Sequence, residues 1–520
     1  MRETALTAWS GSLGCVELRR DQAQVGPTRK ILKTGIVFAV FLVSLFFGWR
    51  ALAVNFRTWD DEGYVLMSLY HHLAGGHLYT EVFTEYGPFF FFAEDAFFRL
   101  LHLPVTHDSG RLITLVLWLI SAGAAGWSIY KITKNTVLAS AAVLAAMSLG
   151  RVLANEPNHP QQIIFPIFML ACCAAASSGP MGLLWLGALG SALFFTKINV
   201  GVFYFAAAAL ALVCQFPRGR IRTIGGGLLL AYAAFVPFLL MHRDVPGSAA
   251  KQCLVAVLCG VMVFWAGLLT TPAAVRPTRS VLYVAAGAMS AAALIVIGVM
   301  MQGIPLSALL EGVVLLPLRH PGVFKVPQYV SKLALLSDVL VTAGIFSLYR
   351  FRDRWRTYAD WIDAVRCVAA LFVLAKLVAD PDPSNVVVKL PSLVVFLPLG
   401  LLPSGDREWT AADYFPRVFI AGLAATQFLQ PYPVAGSHLN ISAAPLLLWA
   451  FLCIHDGLGG LVRLAPVLAF WPGKIVSAES AVGGLIVVIL GVGMLRAAGW
   501  PGRYAYPASS LRGKIGRAHV

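Results

Sequence analysis

Charge is scarce in this chain. Of 520 residues only 12% are Asp, Glu, Lys or Arg, while 58% are hydrophobic and the mean hydropathy is +0.75. Soluble domains carry about 25% charged residues, and a chain this long without them cannot coat its domains against water. An ordinary soluble enzyme is therefore excluded. No C-x-x-C pair occurs among the eight cysteines, so neither a disulfide framework nor a zinc site is indicated. Apart from Cys15 in the N-terminal tail, they lie in or beside apolar segments and read as small packing residues. No internal repeat of the kind that marks many transporters is present. The net charge of +15 would suit nucleic acid, but the Lys and Arg residues sit in short loops between apolar runs. That placement is a topology signal, and no nucleic-acid partner is expected.

What the chain has instead is apolar runs of about 20 residues, the length a helix needs to span hydrocarbon, recurring from Thr34 to Cys453. The expectation is an all-α polytopic membrane protein of about 11–15 transmembrane helices. Arg19, Arg20, Arg29, Lys30 and Lys33 precede the first span with no cleavage site after it, which predicts an uncleaved anchor with a cytoplasmic N-terminus. Lys131 and Lys134, then Arg218, Arg220 and Arg222, then Arg276 and Arg279, and the cluster Arg350, Arg352, Arg354 and Arg356 fall on the same inner side. The loops 55–110, 151–161, around 197, 242–251, 302–332, 380–388 and 431–438 fall outside. The chain then divides into a tail at 1–33, a transmembrane module at 34–455 and a C-terminal segment at 456–514. Ala481–Leu495 in that segment is one more span or a surface helix. Residues 515–520 back-translate to a common short-read sequencing adapter, so the natural C-terminus is expected to lie elsewhere.

The outer loops hold the unusual residues. Loop 55–110 contains eight of the 25 acidic residues and five histidines, more than a spacer needs. Val65, Leu66, Leu69 and Leu73, and later Phe97, Phe98 and Leu101, fall at helical spacing and predict short interfacial helices. Gly75-Gly76 should end the first, and Gly87-Pro88 should turn the chain before the Phe89–Phe92 run.

Three motifs in these loops carry candidate chemistry. Asp60-Asp61-Glu62 places three carboxylates together, which calls for a cation, a metal or a substrate unless they simply meet a helix dipole in water. Asn155-Glu156-Pro157-Asn158-His159-Pro160 is a polar, proline-stiffened knot between apolar helices. Its Glu156 and His159 are either metal or hydroxyl partners, or solvated side chains of a capped turn. Thr196-Lys197 puts a lysine against the inside-positive pattern. A phosphate oxyanion would partner it; snorkelling to lipid head groups is the plainer alternative. Arg319, His320 and Lys325 form a second basic outer spot with the same two readings.

The run Trp59-Asp60-Asp61-Glu62-Gly63-Tyr64, followed by Gly75-Gly76-His77-Leu78-Tyr79-Thr80-Glu81-Val82-Phe83 and Tyr86-Gly87-Pro88, resembles the first periplasmic loop of GT-C glycosyltransferases. The branch it is most similar to contains the protein mannosyltransferases, the aminoarabinose transferases and RgtA/B/C/D-like bacterial enzymes. Asn155-Glu156-Pro157 is similar to that branch's acidic-Pro second loop, with Glu for the usual Asp, and Thr196-Lys197 to its Thr-Lys at a helix end. Gln430–His438 also has the character of bacterial members.

The resemblance implies an inverting transfer of a sugar from a polyprenyl-phosphate donor to a glycolipid, cell-envelope glycan or protein. The enzyme would sit in a bacterial inner membrane with its active site on the periplasmic face. Asp61, or its neighbour Asp60, would be the catalytic base, with Glu62 beside it. Glu156 would be the second-loop acid, with His159 and Asn155 near it. Tyr64, Glu81 and Tyr86 would support the first loop. In some members a divalent metal (Mg or Mn) is held there, which here would fall to Asp61 and Glu156. The residues suit that chemistry. A carboxylate accepts the acceptor's proton. The departing phosphate monoester, with a second pKa of about 6, needs cations such as Lys197, Arg319 and His320 rather than a general acid. A transporter or flippase of lipid-linked saccharides, and a non-catalytic membrane scaffold, are the competing expectations.

Overall fold

The computed structural model describes residues 27–54, 62–154, 156–177, 179–242, 244, 247–318, 330–351, 356–378, 390–403, 409–432, 437–464 and 475–499. Among these there is no strand; one isolated bridge joins Leu78 to Val82. Seven helical stretches are long and apolar enough to cross a membrane: Gly35–Ala53, His107–Thr133, Arg220–Met241, Ala249–Thr270, Pro277–Met301, Lys332–Arg350 and His438–Leu464. Shorter apolar helices such as Gln161–Ser177 and Ile198–Cys214 pack between them. The chain is an all-α polytopic membrane protein.

Helix α1 (Pro27–Val54) is followed by two helices in the first loop, α2 (Glu62–Leu73) and α3 (Pro88–Leu100). They bury the residues whose spacing announced them: Val65, Leu66 and Leu69 on α2, Phe98 on α3. Gly75 turns the chain out of α2 at φ +101°, a backbone conformation that only glycine adopts freely. Then come α4 (His107–Thr133), α5 (Thr136–Leu153), α6 (Gln161–Ser177), α7 (Pro180–Phe194) and α8 (Ile198–Cys214). The starts of α4 and α5 are fixed by side-chain caps: Thr106 Oγ1 accepts from the Ser109 amide, and Asn135 Oδ1 accepts from Val137 and Leu138.

Beyond these lie α9 (Arg220–Met241), α10 (Ser248–Cys259), α11 (Met262–Thr270) and α12 (Pro277–Met301). Helix α12 crosses α7 with the backbones touching. A Cβ on Gly187 would stand 1.9 Å from the Val284 carbonyl oxygen, and one on Gly287 would stand 1.9 Å from that of Leu184. Such small-residue crossings substitute close packing for the hydrophobic drive that lipid does not supply.

The longer helices that follow are α13 (Lys332–Arg350), α14 (Ala359–Val378), α15 (Ala411–Gln427), α16 (Ala444–Leu464) and α17 (Ile475–Gly499). Helices α15 and α16 form the centre of the bundle, and their buried charges neutralise each other: Arg417 Nη2 lies 2.9 Å from Asp456 Oδ1. Helix α17, the segment read as a span or a surface helix, is a 25-residue helix packed against α1, α5 and α16. The seven described cysteines are free and six of them are buried, in keeping with a packing role.

Candidate active site

The first loop is tied to the bundle through Glu62, a fully buried residue. Arg111 on α4 grips it from two nitrogens, Nε to Oε1 at 3.1 Å and Nη2 to Oε2 at 2.9 Å, while its Nη1 donates to the Leu52 carbonyl on α1. His107 Nδ1 lies 3.2 Å from Oε1, and Asn158 Nδ2 donates to the same oxygen at 3.4 Å. Burial pushes the Glu62 carboxyl upward, but the bonds and charges of His107 and Arg111 outweigh it and hold the group below its ordinary value. One carboxylate thus joins α1, α2, α4 and the loop after α5.

From Asn158 the site continues through its neighbour. The Gln161 amide N–H points at His159 Nδ1 from 3.5 Å, so the ring carries its proton on Nε2 and donates it to the Tyr86 oxygen at 2.8 Å. The His159 ring lies beside that of His438, with centroids 5.9 Å apart. On the other side of His438, Lys197 Nζ donates to Nε2 at 3.4 Å. With Nε2 accepting, Nδ1 of His438 bears the proton. It abuts the Gln161 side-chain amide, whose oxygen has no other partner among the described residues and is the natural acceptor. Five side chains from four separate stretches of the sequence, Tyr86, His159 with Gln161, Lys197 and His438, therefore share one network.

Backbone contacts set the two sides of this cluster. The N–H groups of Gly87 and Phe89 donate to the carbonyls of Thr196 (2.9 Å) and Phe195 (3.0 Å), which docks the Gly-Pro turn on the end of α7. A Cβ at position 87 would stand 1.9 Å from the Phe195 oxygen, so only glycine permits the approach that brings Tyr86 to the Lys197 side. Gln162 shapes the second loop: it accepts from Trp118 Nε1 at 2.7 Å and donates to the carbonyls of Leu153 (2.8 Å) and Glu156 (2.7 Å).

The electrostatics follow from burial. Burial and then the Lys197 charge push His159 down to about 3, so its ring is neutral at any ordinary pH. Burial pushes Lys197 down to about 8, and the carboxylates of Glu156 and Glu85 pull in the opposite direction. A cation with two carboxylates in range, at the end of the bundle where the first loop is anchored, is suited to receiving an anion near proton-accepting groups.

Of the residues singled out by sequence, Lys197, His159, Tyr86 and Glu156 converge here. Asp60, Asp61, Asn155, Arg319 and His320 lie outside the described residues. Glu62 is one residue from Asp61 and joins this end of the bundle through Asn158. Tyr64 and Glu81 brace the first loop: the Tyr64 hydroxyl donates to the Phe83 carbonyl at 3.2 Å, and Glu81 Oε2 accepts from the His77 amide at 2.8 Å. The sequence does not mark Gln161, His438 or Glu85 as site residues. His438 closes a motif already conspicuous in sequence, but its partners are more than 240 residues away. Glu94 is a further surprise. It is 1% exposed on α3, neither oxygen has a partner among the described residues, and burial lifts it to about 8. Among the described residues no three His, Cys, Asp or Glu side chains lie close enough to hold a metal ion. Asp61, expected to hold a metal together with Glu156, lies outside the described residues.

No family model matches the chain, and no curated protein matches it. Among solved structures the chain is similar to the archaeal oligosaccharyltransferase AglB from Archaeoglobus fulgidus in complex with an inhibitory peptide and a dolichol-phosphate. The identity is 13%, the match covers 93% of this chain and 57% of that one, and the TM-score is 0.41. The chain spans a little over half the length of that protein, and a likeness this distant carries no argument about chemistry.

Proposed function

We propose that this protein is a GT-C-type membrane glycosyltransferase that moves a sugar from a polyprenyl-phosphate donor to an acceptor hydroxyl or amine, with inversion at the anomeric carbon. The reading extends to a bacterial inner membrane with the first-loop end of the bundle facing the periplasm. The observation that carries it is the convergence of Lys197, Glu156, His159 and Tyr86 at the end where Glu62 anchors the first loop.

In this reading Asp61 accepts the acceptor's proton as the oxygen or nitrogen attacks. The bond from the anomeric carbon to the phosphate oxygen breaks, and its electron pair leaves with the lipid phosphate. Lys197 meets the charge that grows there. Glu62 is the anchor of the loop and not a base, since Arg111, His107 and Asn158 already engage its two carboxylate oxygens. His159 is a neutral positioning residue for Tyr86. No step is assigned to a metal. The acceptor is a glycolipid, an envelope glycan or a protein. The transmembrane helices hold the donor's isoprenoid chain.

The test is turnover of radiolabelled polyprenyl-phosphate sugars by the purified full chain, set beside Asp61→Asn and Lys197→Met. Both variants should lose transfer while keeping the wild-type melting temperature. Undiminished transfer in Asp61→Asn removes the base. Movement of intact lipid-linked saccharide across vesicles without transfer makes the protein a transporter.

A further inference from the structure

Arg151 belongs to no part of the site described above. It sits in the last turn of α5, at the same end as Glu156 and His159, and opposes the inside-positive pattern of the chain. Among the described residues no hydrogen bond or ion pair reaches its guanidinium. The C-terminus of α5 favours a cation through its dipole but supplies no counter-ion.

What Arg151 does face is a cavity of about 420 Å³ between α1, α5, α14 and α17, with Ser148 one turn before it at the same wall. The other walls are apolar: Phe47, Leu371, Leu374, Ile486 and Leu490. Arg151 and Val378 lie in the last turns of their helices, so the cavity runs into the membrane from the first-loop end. An unpaired cation at the mouth of an apolar slot matches one chemistry, an anionic head group carrying a hydrocarbon chain. Size chooses between the candidates. At the roughly 30 Å³ that a water-sized group occupies in a liquid, the slot takes on the order of fourteen such groups, the bulk of one fatty-acyl chain and too little for a long isoprenoid.

We propose that this cavity is a binding site for an anionic phospholipid of the leaflet at the first-loop end. One acyl chain fills the slot, and the phosphate rests on Arg151 with Ser148 beside it. The lipid completes the packing of α17 against α1 and α14, and the site is separate from that of Lys197.

Native mass spectrometry on the delipidated full chain tests this, with phosphatidylglycerol and phosphatidylcholine of identical chains as probes. Wild type should retain phosphatidylglycerol in preference, and Arg151→Gln should reduce that preference about fivefold or more, the worth of one basic side chain at a lipid surface. Arg151→Lys should keep it. Gly493 lines the slot with nothing within 4 Å of where a Cβ would stand, so Gly493→Leu extends from that open point into the slot and should weaken both lipids alike. This variant leaves Arg151 intact and reports even where Arg151→Gln fails to fold. Unchanged preference in Arg151→Gln, unchanged binding in Gly493→Leu, or one-for-one displacement of phosphatidylglycerol by a polyprenyl phosphate each overturns the proposal.

Discussion

At the scale of single residues, two buried ionisable groups give the protein opposite and separable responses to pH. Lys197, pushed to about 8, loses its charge as pH rises through that value, so sugar transfer should fall on the alkaline side near 8 instead of near the ordinary 10.5. Between 8 and 10.5 the unfolded chain binds the proton that the folded one has released, so this residue makes stability rise with pH while activity is being lost. A pH–rate profile beside a pH–melting profile separates the two. Lys197→Met should lower turnover about 10²–10³-fold, the usual consequence of losing one donor to a developing oxyanion. Glu94 works in the other direction and lower on the scale. Its folded carboxyl binds a proton up to about 8, whereas the free group releases it near 4.5, so stability should decline as pH rises from 4.5 to 8. Glu94→Gln should flatten that decline in a melting series and leave transfer intact at neutral pH. Lys197 stands out in the sequence because it is a lysine between two apolar runs, in a loop that the charge pattern assigns to the outer side. Glu94 was not: on paper it is one more acid in an acidic loop, and only the packing of Phe90, Phe91 and Phe98 on the same helix face buries it.

At the scale of elements, the site depends on how the first loop is pinned at two points. The first is Glu62 on Arg111. Replacing Glu62 by Leu leaves the largely buried Arg111 guanidinium without its carboxylate and should cost ~3–5 kcal/mol, because an unpaired buried charge is worse than no charge at all. The double replacement with Arg111→Met should recover much of that loss in denaturant or thermal unfolding. The second pin is the Gly87-Pro88 turn on the end of α7. Gly87→Ala forces the turn away from the Phe195 carbonyl and draws Tyr86 from His159, so kcat should fall further than in Tyr86→Phe, and the melting temperature should fall as well. The helices themselves were readable from periodicity: α2 and α3 lie where Val65, Leu66, Leu69 and Phe98 place them, and Gly75-Gly76 ends α2 as expected. The pins were not readable. Glu62 reads in sequence as the third of three acids with an open role, and nothing local shows that Arg111, 49 residues on, claims it. His438 is a longer case of the same kind, since its meeting with Lys197 comes only from α15 and α16 packing between the early helices.

For the whole molecule the alternation of apolar runs and basic loops already fixed the class, because neither requires knowledge of which helices touch. The same alternation predicts an orientation, and that expectation has a direct consequence. If the chemistry is transfer from a lipid phosphate at the first-loop end, that end and the Arg218–Arg222 loop must lie on opposite sides of the bilayer. Thr80 and Gly219 are both exposed in loops that should face those two sides. Single cysteines placed there in a background whose native cysteines are changed to alanine or serine should react oppositely with a membrane-impermeant maleimide. Thr80→Cys should label in intact spheroplasts, and Gly219→Cys only after the membrane is opened. Most native thiols are buried, so their replacement is checked by keeping sugar transfer as the control. Labelling of Thr80→Cys only after the membrane is opened would place Lys197 where no periplasmic acceptor reaches it. The fold would survive that result and the direction of the reaction would not.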